Sequence, residues 1–313
     1  MDVMRVVFAG TPLIAVPTLE AIVDAGHQVV AVLTQPAAPG KRGKELVPSP
    51  VMLAARELEL EVLAPTNASE PEIVEIVRGL GADVAAVVAY GQILRPAMLD
   101  ATAHGWVNLH FSVLPAWRGA APVQRAIMAG DDVTGASTFV IEEGLDTGPV
   151  IGTLTERIRH TDTAGDLLER LSGIGAGLMV HSLEALVGGY AAPVPQPDDG
   201  VSYAHKLTRE DAYVTWDMPA HIVDRQIRGV TPAPGAWTTL PDGTVAKLGP
   251  VGHRQGPGLP PGQVRADGPD VLVGTGTTPV ALTWIAPAGR KAMDARDWLR
   301  GARLGESATL GEA

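Results

Sequence analysis

The chain has 313 residues, 46% of them hydrophobic and 19% charged, which allows two domains with cores and excludes a disordered protein. It contains no cysteine, so disulfides, thiolate nucleophiles and cysteine-based zinc sites are excluded. The formal net charge is −11, but residues 1–204 carry 12 Lys/Arg against 24 Asp/Glu, whereas residues 205–313 carry 12 against 11. The last third is therefore the part whose charge allows a nucleic-acid partner.

The first 188 residues alternate short apolar runs with helical patterns. Strands are predicted at 5–9, 29–33, 84–89, 106–110, 137–141 and 149–155, and helices at 17–25, 51–60, 71–78 and 163–187. Strands that are apolar on both faces and separated by helices indicate a parallel sheet covered on both sides. We therefore predict a doubly wound, Rossmann-like α/β domain over residues 1–188.

A segment rich in proline and glycine follows, and we interpret residues 189–204 as a linker. A helix is predicted at 219–228. Short strand-like runs at 236–240, 244–248, 271–273 and 280–285 are punctuated by Pro and Gly. This pattern predicts a small β-barrel domain over residues 205–313.

The chemistry-bearing segment is Val107-Asn108-Leu109-His110 and the loop after it. On a strand, Asn108 and His110 lie two residues apart and point to the same face. They stand at the carboxyl end of a predicted central strand, where open parallel sheets bind ligands. An amide and an imidazole side by side can both donate hydrogen bonds to a developing oxyanion.

A second segment, residues 143–149, holds one acid between glycines in a tight loop: Gly144-Leu145-Asp146-Thr147-Gly148. Such a loop can direct Asp146 towards the strand end that carries His110. An aspartate facing a histidine can hold its tautomer, raise its pKa and pass protons through water.

Together, Asn108-x-His110, the loop Ser112-Val113-Leu114-Pro115 and the Asp146 loop resemble the folate-dependent formyltransferase superfamily. The resemblance extends to residues 8–12, 34–36, 48–51, 89–91, 118–122 and 287–293. It implies a catalytic set of Asn108, His110 and Asp146, and folate contacts from the loop Ser112, Val113, Leu114 and Pro115. It also implies that the C-terminal barrel is of the oligonucleotide-binding type.

The activity implied is transfer of the formyl group of 10-formyltetrahydrofolate to the α-amino group of methionyl initiator tRNA in translation initiation. No metal is expected in the site. No signal-peptide pattern and no apolar run of membrane-spanning length occur, so we expect a cytoplasmic protein, and a monomer.

Two groups of cations are candidate tRNA contacts. In a polar loop of the otherwise acidic first domain stand Lys41, Arg42 and Lys44, and the resemblance places Arg42 in a loop that enters the acceptor stem. In the second domain stand Arg290, Lys291, Arg296, Arg300 and Arg303. On a helix the last three share one face, and we predict phosphate contacts from all eight.

Four other functions remain open from the sequence. A glycinamide-ribonucleotide formyltransferase or a formyl-folate hydrolase would use the same Asn, His and Asp, but would need neither the basic loop nor the second domain. A nucleotide-binding oxidoreductase would need a G-x-G-x-x-G after the first strand, where only Gly10 is present. A non-catalytic RNA-binding protein would not need the complete catalytic set.

Overall fold

The computed structural model describes residues 3–40, 45–305 and 307–311. These residues form two compact units. The first comprises the residues up to 122 together with 133–157 and 168–204, and the second comprises 123–132, 158–167 and 205 onwards. The domain boundaries proposed from the sequence, after 188 and before 205, stay a prediction.

A seven-stranded sheet forms the centre of the first unit, in the order β5-β2-β1-β6-β7-β8-β9. Its strands are β1 Arg5–Gly10, β2 Gln28–Leu33, β5 Val62–Leu63, β6 Val84–Val88, β7 Trp106–His110, β8 Val133–Val140 and β9 Val150–Arg157, and the short strands β3 Ala38–Pro39 and β4 Leu46–Val47 pair separately. Every residue of β6 is buried and apolar, as expected for a central strand covered on both faces.

The last two strands of the sheet depart from the predicted parallel arrangement. From β5 to β7 all pairs are parallel, but β8 runs antiparallel to β7, and β9 runs antiparallel to β8. A parallel neighbour needs a crossover that returns the chain to the start of the previous strand. The segment after β7 instead forms the irregular loop 111–121 and the eight-residue helix α5. Strand β8 therefore starts near the end of β7.

The helices are α1 Val16–Asp24, α2 Pro50–Glu57, α3 Pro71–Gly79, α4 Pro96–Leu99, α5 Pro122–Ala129, α6 Ala164–Val187, α7 Ala220–Gly229 and α8 Ala295–Ala302, with short 3-10 turns at Leu13–Ala15 and Glu210–Ala212. The first four each carry proline in the first turn, where its fixed φ and missing N–H cost nothing. No helix in the described ranges is both long and apolar enough to span a membrane.

Ser49 caps helix α2, and its loss should cost measurable stability. Its hydroxyl accepts a hydrogen bond from the Met52 N–H at 3.0 Å and lies 2.7 Å from the Thr34 hydroxyl. Ser49→Ala is expected to lower the free energy of unfolding by about 1 kcal/mol, measured by urea unfolding followed by circular dichroism. The control is Arg95→Ala, which replaces an N-cap residue without a side-chain cap bond; an equal loss in both variants would show that the cap is irrelevant.

The second unit is built on two four-stranded antiparallel sheets, with strand orders β10-β11-β16-β17 and β12-β15-β14-β13. The strands are β10 Trp237–Thr239, β11 Val245–Leu248, β12 Val251–His253, β13 Val264–Asp267, β14 Asp270–Val273, β15 Val280–Leu282, β16 Trp284–Pro287 and β17 Met293–Asp294. The predicted single strand 280–285 is two strands, because the chain passes from one sheet to the other at Thr283, whose hydroxyl donates to the Pro250 carbonyl at 2.6 Å.

Candidate active site

Strand β7 presents Asn108 and His110 on one face of the sheet, as the two-residue spacing predicts. Val107 and Leu109 alternate with them and are buried in the core. The start of β7 is anchored by Trp106, which is fully buried and donates its indole N–H to the Met98 carbonyl at 2.7 Å. Asn108 is half-buried, and its amide forms no hydrogen bond within the part of the chain that the structure describes. It is therefore free to donate to a ligand.

The backbone fixes the tautomer of His110. Its Nε2 lies 2.9 Å from the Trp117 carbonyl oxygen, which can only accept, so Nε2 carries a proton in both charge states. Nδ1 is then the nitrogen that gains or loses a proton. Only a protonated imidazole has an Nδ1–H to donate, so oxyanion stabilisation by His110 through this atom requires the charged form.

The Asp146 loop reaches the same place. Asp146 Oδ2 lies 3.7 Å from His110 Nδ1 and accepts a hydrogen bond from the Gly119 N–H at 2.7 Å. Asp146 itself has a φ of 53°, a left-handed conformation that is uncommon for a residue other than glycine. The loop follows Val140, the last residue of β8, so the antiparallel strand determines where this carboxylate stands.

Two opposing effects act on the pKa of His110. Burial of the imidazole is the larger effect and lowers the pKa below its ordinary value, while the Asp146 carboxylate and the Trp117 carbonyl raise it. Asp146 therefore offsets part of the effect of burial on the charged form of His110. The site thus combines one free amide donor, one titratable nitrogen and one carboxylate that controls it.

The loop Ser112–Pro115 departs from expectation in one respect. The resemblance implies a folate contact from Ser112, but its side chain is fully buried and donates its hydroxyl to the Ala116 carbonyl at 2.6 Å. The loop is further held by Ser137, whose hydroxyl donates to the Ser112 carbonyl at 2.8 Å and accepts from the Leu114 N–H at 3.1 Å. What remains for a ligand is backbone and the half-exposed side chains of Val113 and Pro115.

Two family models match the chain. The model described as "Formyl transferase" matches residues 4–183, and that described as "Formyl transferase, C-terminal domain" matches residues 206–303. The chain belongs to the formyl transferase family. The α/β first part and the β-rich second part predicted from the sequence are both confirmed.

This formyl transferase is 55% identical over 313 residues to the methionyl-tRNA formyltransferase of Nocardioides sp. (strain ATCC BAA-499 / JS614), across 99% of each chain. It is 57% identical over 299 residues to that of Arthrobacter sp. (strain FB24), across 95% of this chain and 97% of the relative. HypX from Aquifex aeolicus in complex with tetrahydrofolic acid aligns with a TM-score of 0.68 at 16% identity, over 96% of this chain and 48% of HypX. This chain spans about half of HypX, and the likeness concerns the fold.

The cations predicted as tRNA contacts in the second unit are all exposed, but they do not all line the same cavity. Helix α8 ends at Ala302, and Arg303 follows it in a left-handed conformation with a φ of 49°. Arg303 and Arg290 line a cavity of about 680 Å³, whereas Arg296 and Arg300 line another of about 580 Å³. The face predicted for the last three arginines is therefore split by the end of the helix. Lys41, Arg42 and Lys44 lie outside the described residues.

Three residues that hold the site together were not singled out from the sequence. Trp117 and Gly119 supply the carbonyl and the N–H that orient His110 and Asp146, and Gln196 bonds to the Asp146 loop. The two backbone contacts have no side-chain signature, and Gln196 lies among prolines in a segment interpreted as a linker. Among the described residues, no group of three or more His, Asp or Glu side chains is placed to hold a metal ion.

Proposed function

We propose that this formyl transferase moves the formyl group of 10-formyltetrahydrofolate to the α-amino group of methionyl initiator tRNA. The observation that carries the chemistry is the pairing of His110 Nδ1 with Asp146 Oδ2 at 3.7 Å, on the face that also presents Asn108. The choice of acceptor is supported by the relatives of the same length that bear the name methionyl-tRNA formyltransferase.

The amine attacks the formyl carbon, and the carbonyl oxygen takes up negative charge. Asn108 donates to that oxygen through its free amide, and protonated His110 donates through Nδ1–H. Donors fixed in place before the reaction stabilise the charge without reorganising, and one such donor contributes about 2.7–4 kcal/mol to lowering the barrier. Neither residue forms a covalent bond with the substrate in this scheme.

Two protons move during the transfer. The attacking amine loses one, which the Asp146 carboxylate accepts through a water molecule, and the leaving nitrogen of the folate gains one from His110 Nδ1. His110 then regains a proton from Asp146, so both groups return to their starting states. The proton on His110 Nδ1 faces this site, and the Asp146 carboxylate balances the positive charge of the imidazole. His110 can therefore donate this proton during the reaction and regain it afterwards. The Asp146 carboxylate thus acts both as proton acceptor and as the charge that favours the protonated form of His110 against the effect of burial.

The folate has suitable surroundings at the ends of adjacent strands. Leu13 and Ile93 follow the paired strands β1 and β6, and they are 70% and 84% exposed. Exposed aliphatic side chains of this size on neighbouring loops suit the flat face of a ring system. With Val113, Pro115 and the backbone of their loop, we propose that they contact the folate.

The second unit is proposed to hold the tRNA through phosphate contacts of Arg290, Lys291, Arg296, Arg300 and Arg303, and the basic loop of residues 41–44 is proposed to contact the acceptor end. Such contacts position the nucleic acid without reading its sequence. We further propose that the enzyme acts in the cytoplasm, where charged initiator tRNA is available, and that it is a monomer.

The deciding experiment supplies 10-formyltetrahydrofolate with three acceptors in turn: methionyl initiator tRNA, glycinamide ribonucleotide and water alone. We expect formyl-methionyl tRNA as the product and no turnover with the other two. His110→Ala serves as the inactive control. Formylation of glycinamide ribonucleotide, or release of formate without an acceptor, would replace the proposal by the corresponding alternative.

Phosphate contacts make tRNA affinity depend on salt. The logarithm of the binding constant should fall linearly with the logarithm of salt concentration, by about 0.7–0.9 per neutralised phosphate. Lys291→Ala should therefore reduce the slope by about one contact, measured by filter binding over a salt series. Arg78→Ala, which removes an exposed arginine paired with Glu75 in the first unit, is the control. An unchanged slope for Lys291→Ala would remove Lys291 from the phosphate contacts.

A further inference from the structure

The segment interpreted as a linker is hydrogen-bonded to the first unit along much of its length. Val194 and Val150 exchange two backbone hydrogen bonds of 2.8 Å. Further on, the Arg118 N–H donates to the Ser202 carbonyl at 2.9 Å, and the Ala204 N–H donates to the Arg118 carbonyl at 2.7 Å. Residues 194–204 therefore run along the loops that build the active site, and Gln196 lies between these two attachments.

The carboxamide of Gln196 is engaged at both ends. Its Nε2 donates to the carbonyl oxygens of Asp146 and Gly148, each at 2.8 Å. Its Oε1 accepts from Arg118 Nε at 3.1 Å and from Arg118 Nη2 at 2.7 Å. Both amide hydrogens and both lone pairs are used, so the side chain is fixed in one orientation.

These bonds join the two backbone segments that hold the Asp146 carboxylate. On one side is the turn of Asp146 itself, where the φ of 53° is in the left-handed region that is uncommon for residues other than glycine. On the other side is Gly119, which follows Arg118 and donates its N–H to Asp146 Oδ2 at 2.7 Å. Gly119 has a φ of 120°, and a Cβ there would lie 2.8 Å from the Ala204 carbonyl oxygen, so this segment has little freedom to adjust by itself.

We propose that Gln196 is a positioning residue of the formyl-transfer site, which holds the turn of Asp146 so that its carboxylate faces His110. The proposal rests on the proposed function for its kinetic consequences, and on the four hydrogen bonds of one side chain for its structural content. Among the described residues, Asp146 is the charged group that faces His110, so a displaced turn changes the protonation of that histidine.

Gln196→Ala should lower kcat by about 10- to 100-fold, the cost of a small misplacement of a catalytic group. The KM for tRNA should change little, because the four hydrogen bonds of the Gln196 side chain go to Arg118, Asp146 and Gly148, none of which is a proposed phosphate ligand. Without a carboxylate held beside it, His110 should titrate at lower pH. This titration is read by NMR of the imidazole in the protein without substrate, with the signal identified by its loss in His110→Gln.

The variant Gln196→Glu tests the two ends of the carboxamide separately. Gln196→Glu can still accept from Arg118, but it has no N–H for the carbonyls of Asp146 and Gly148. We expect it to lower kcat as much as Gln196→Ala while keeping the tie to Arg118. Turnover at the normal rate in Gln196→Glu would overturn the proposal, since the bonds to the Asp146 turn would then be dispensable.

A double variant distinguishes positioning from general destabilisation. If Gln196 acts through Asp146, adding Gln196→Ala to Asp146→Asn should shift the titration of His110 no further than Asp146→Asn alone. A further, additive shift would overturn the proposal. Asp198→Asn, an exposed change two residues along the same segment, should match the unaltered protein in kcat and in titration. Failure of the protein to formylate tRNA would refute the proposed function only, because the titration requires no substrate.

Discussion

Replacing Asp146 by asparagine is expected to lower turnover in formyl transfer by more than about tenfold, because proton transfer loses its base. The fold should be kept. Asparagine has the same shape, and its side-chain oxygen can accept the Gly119 N–H that Asp146 Oδ2 now accepts at 2.7 Å. What disappears is the negative charge 3.7 Å from His110 Nδ1.

The loss of the Asp146 charge should also shift the pH dependence of turnover in a definite direction. Burial lowers the pKa of His110, and Asp146 raises it, so removing the carboxylate lets the pKa fall further. Because the protonated histidine is the proposed oxyanion donor, less enzyme is active at neutral pH, and the high-pH limb of kcat moves to lower pH. The measurement is kcat against pH for both proteins. Near-normal turnover by folded Asp146→Asn would remove Asp146 from the mechanism.

Replacing Asn108 by alanine is expected to reduce kcat by about 10²–10³-fold, the usual cost of one oxyanion donor. The amide of Asn108 is half-buried and has no partner among the residues described, so its removal leaves no buried group unpaired. Stability should therefore change little. Single-turnover kinetics with saturating tRNA would isolate the chemical step from binding.

A matched substitution in the same unit serves as the control for this experiment. Asn67→Ala removes an exposed asparagine whose side-chain oxygen accepts from the Ser69 N–H at 3.0 Å in the same unit. It should turn over at the normal rate. The role of Asn108 as a donor would be refuted if Asn108→Ala lost no more activity than Asn67→Ala, or if its loss were entirely in the KM for either substrate.

Much of this protein follows from local sequence. The apolar runs at 84–89 and 106–110 lie within one residue of β6 and β7, and the pattern at 163–187 becomes α6 Ala164–Val187. The two-residue spacing also places Asn108 and His110 on one face. These features succeed because side-chain periodicity and capping act within a few residues, so the information is contained in the segment itself.

The tertiary structure decided what brings the site together. No local pattern showed that β8 would run antiparallel to β7, yet that direction determines where Asp146 stands relative to His110. Nor did the prolines around Gln196 reveal a side chain bonded to the Asp146 turn. The hydrogen bonds that hold the Asp146 turn join residues 27 to 78 positions apart in the chain. Segments so distant in sequence meet only once the sheet has formed, so the sequence alone supplied the candidate site residues, while packing determined their geometry.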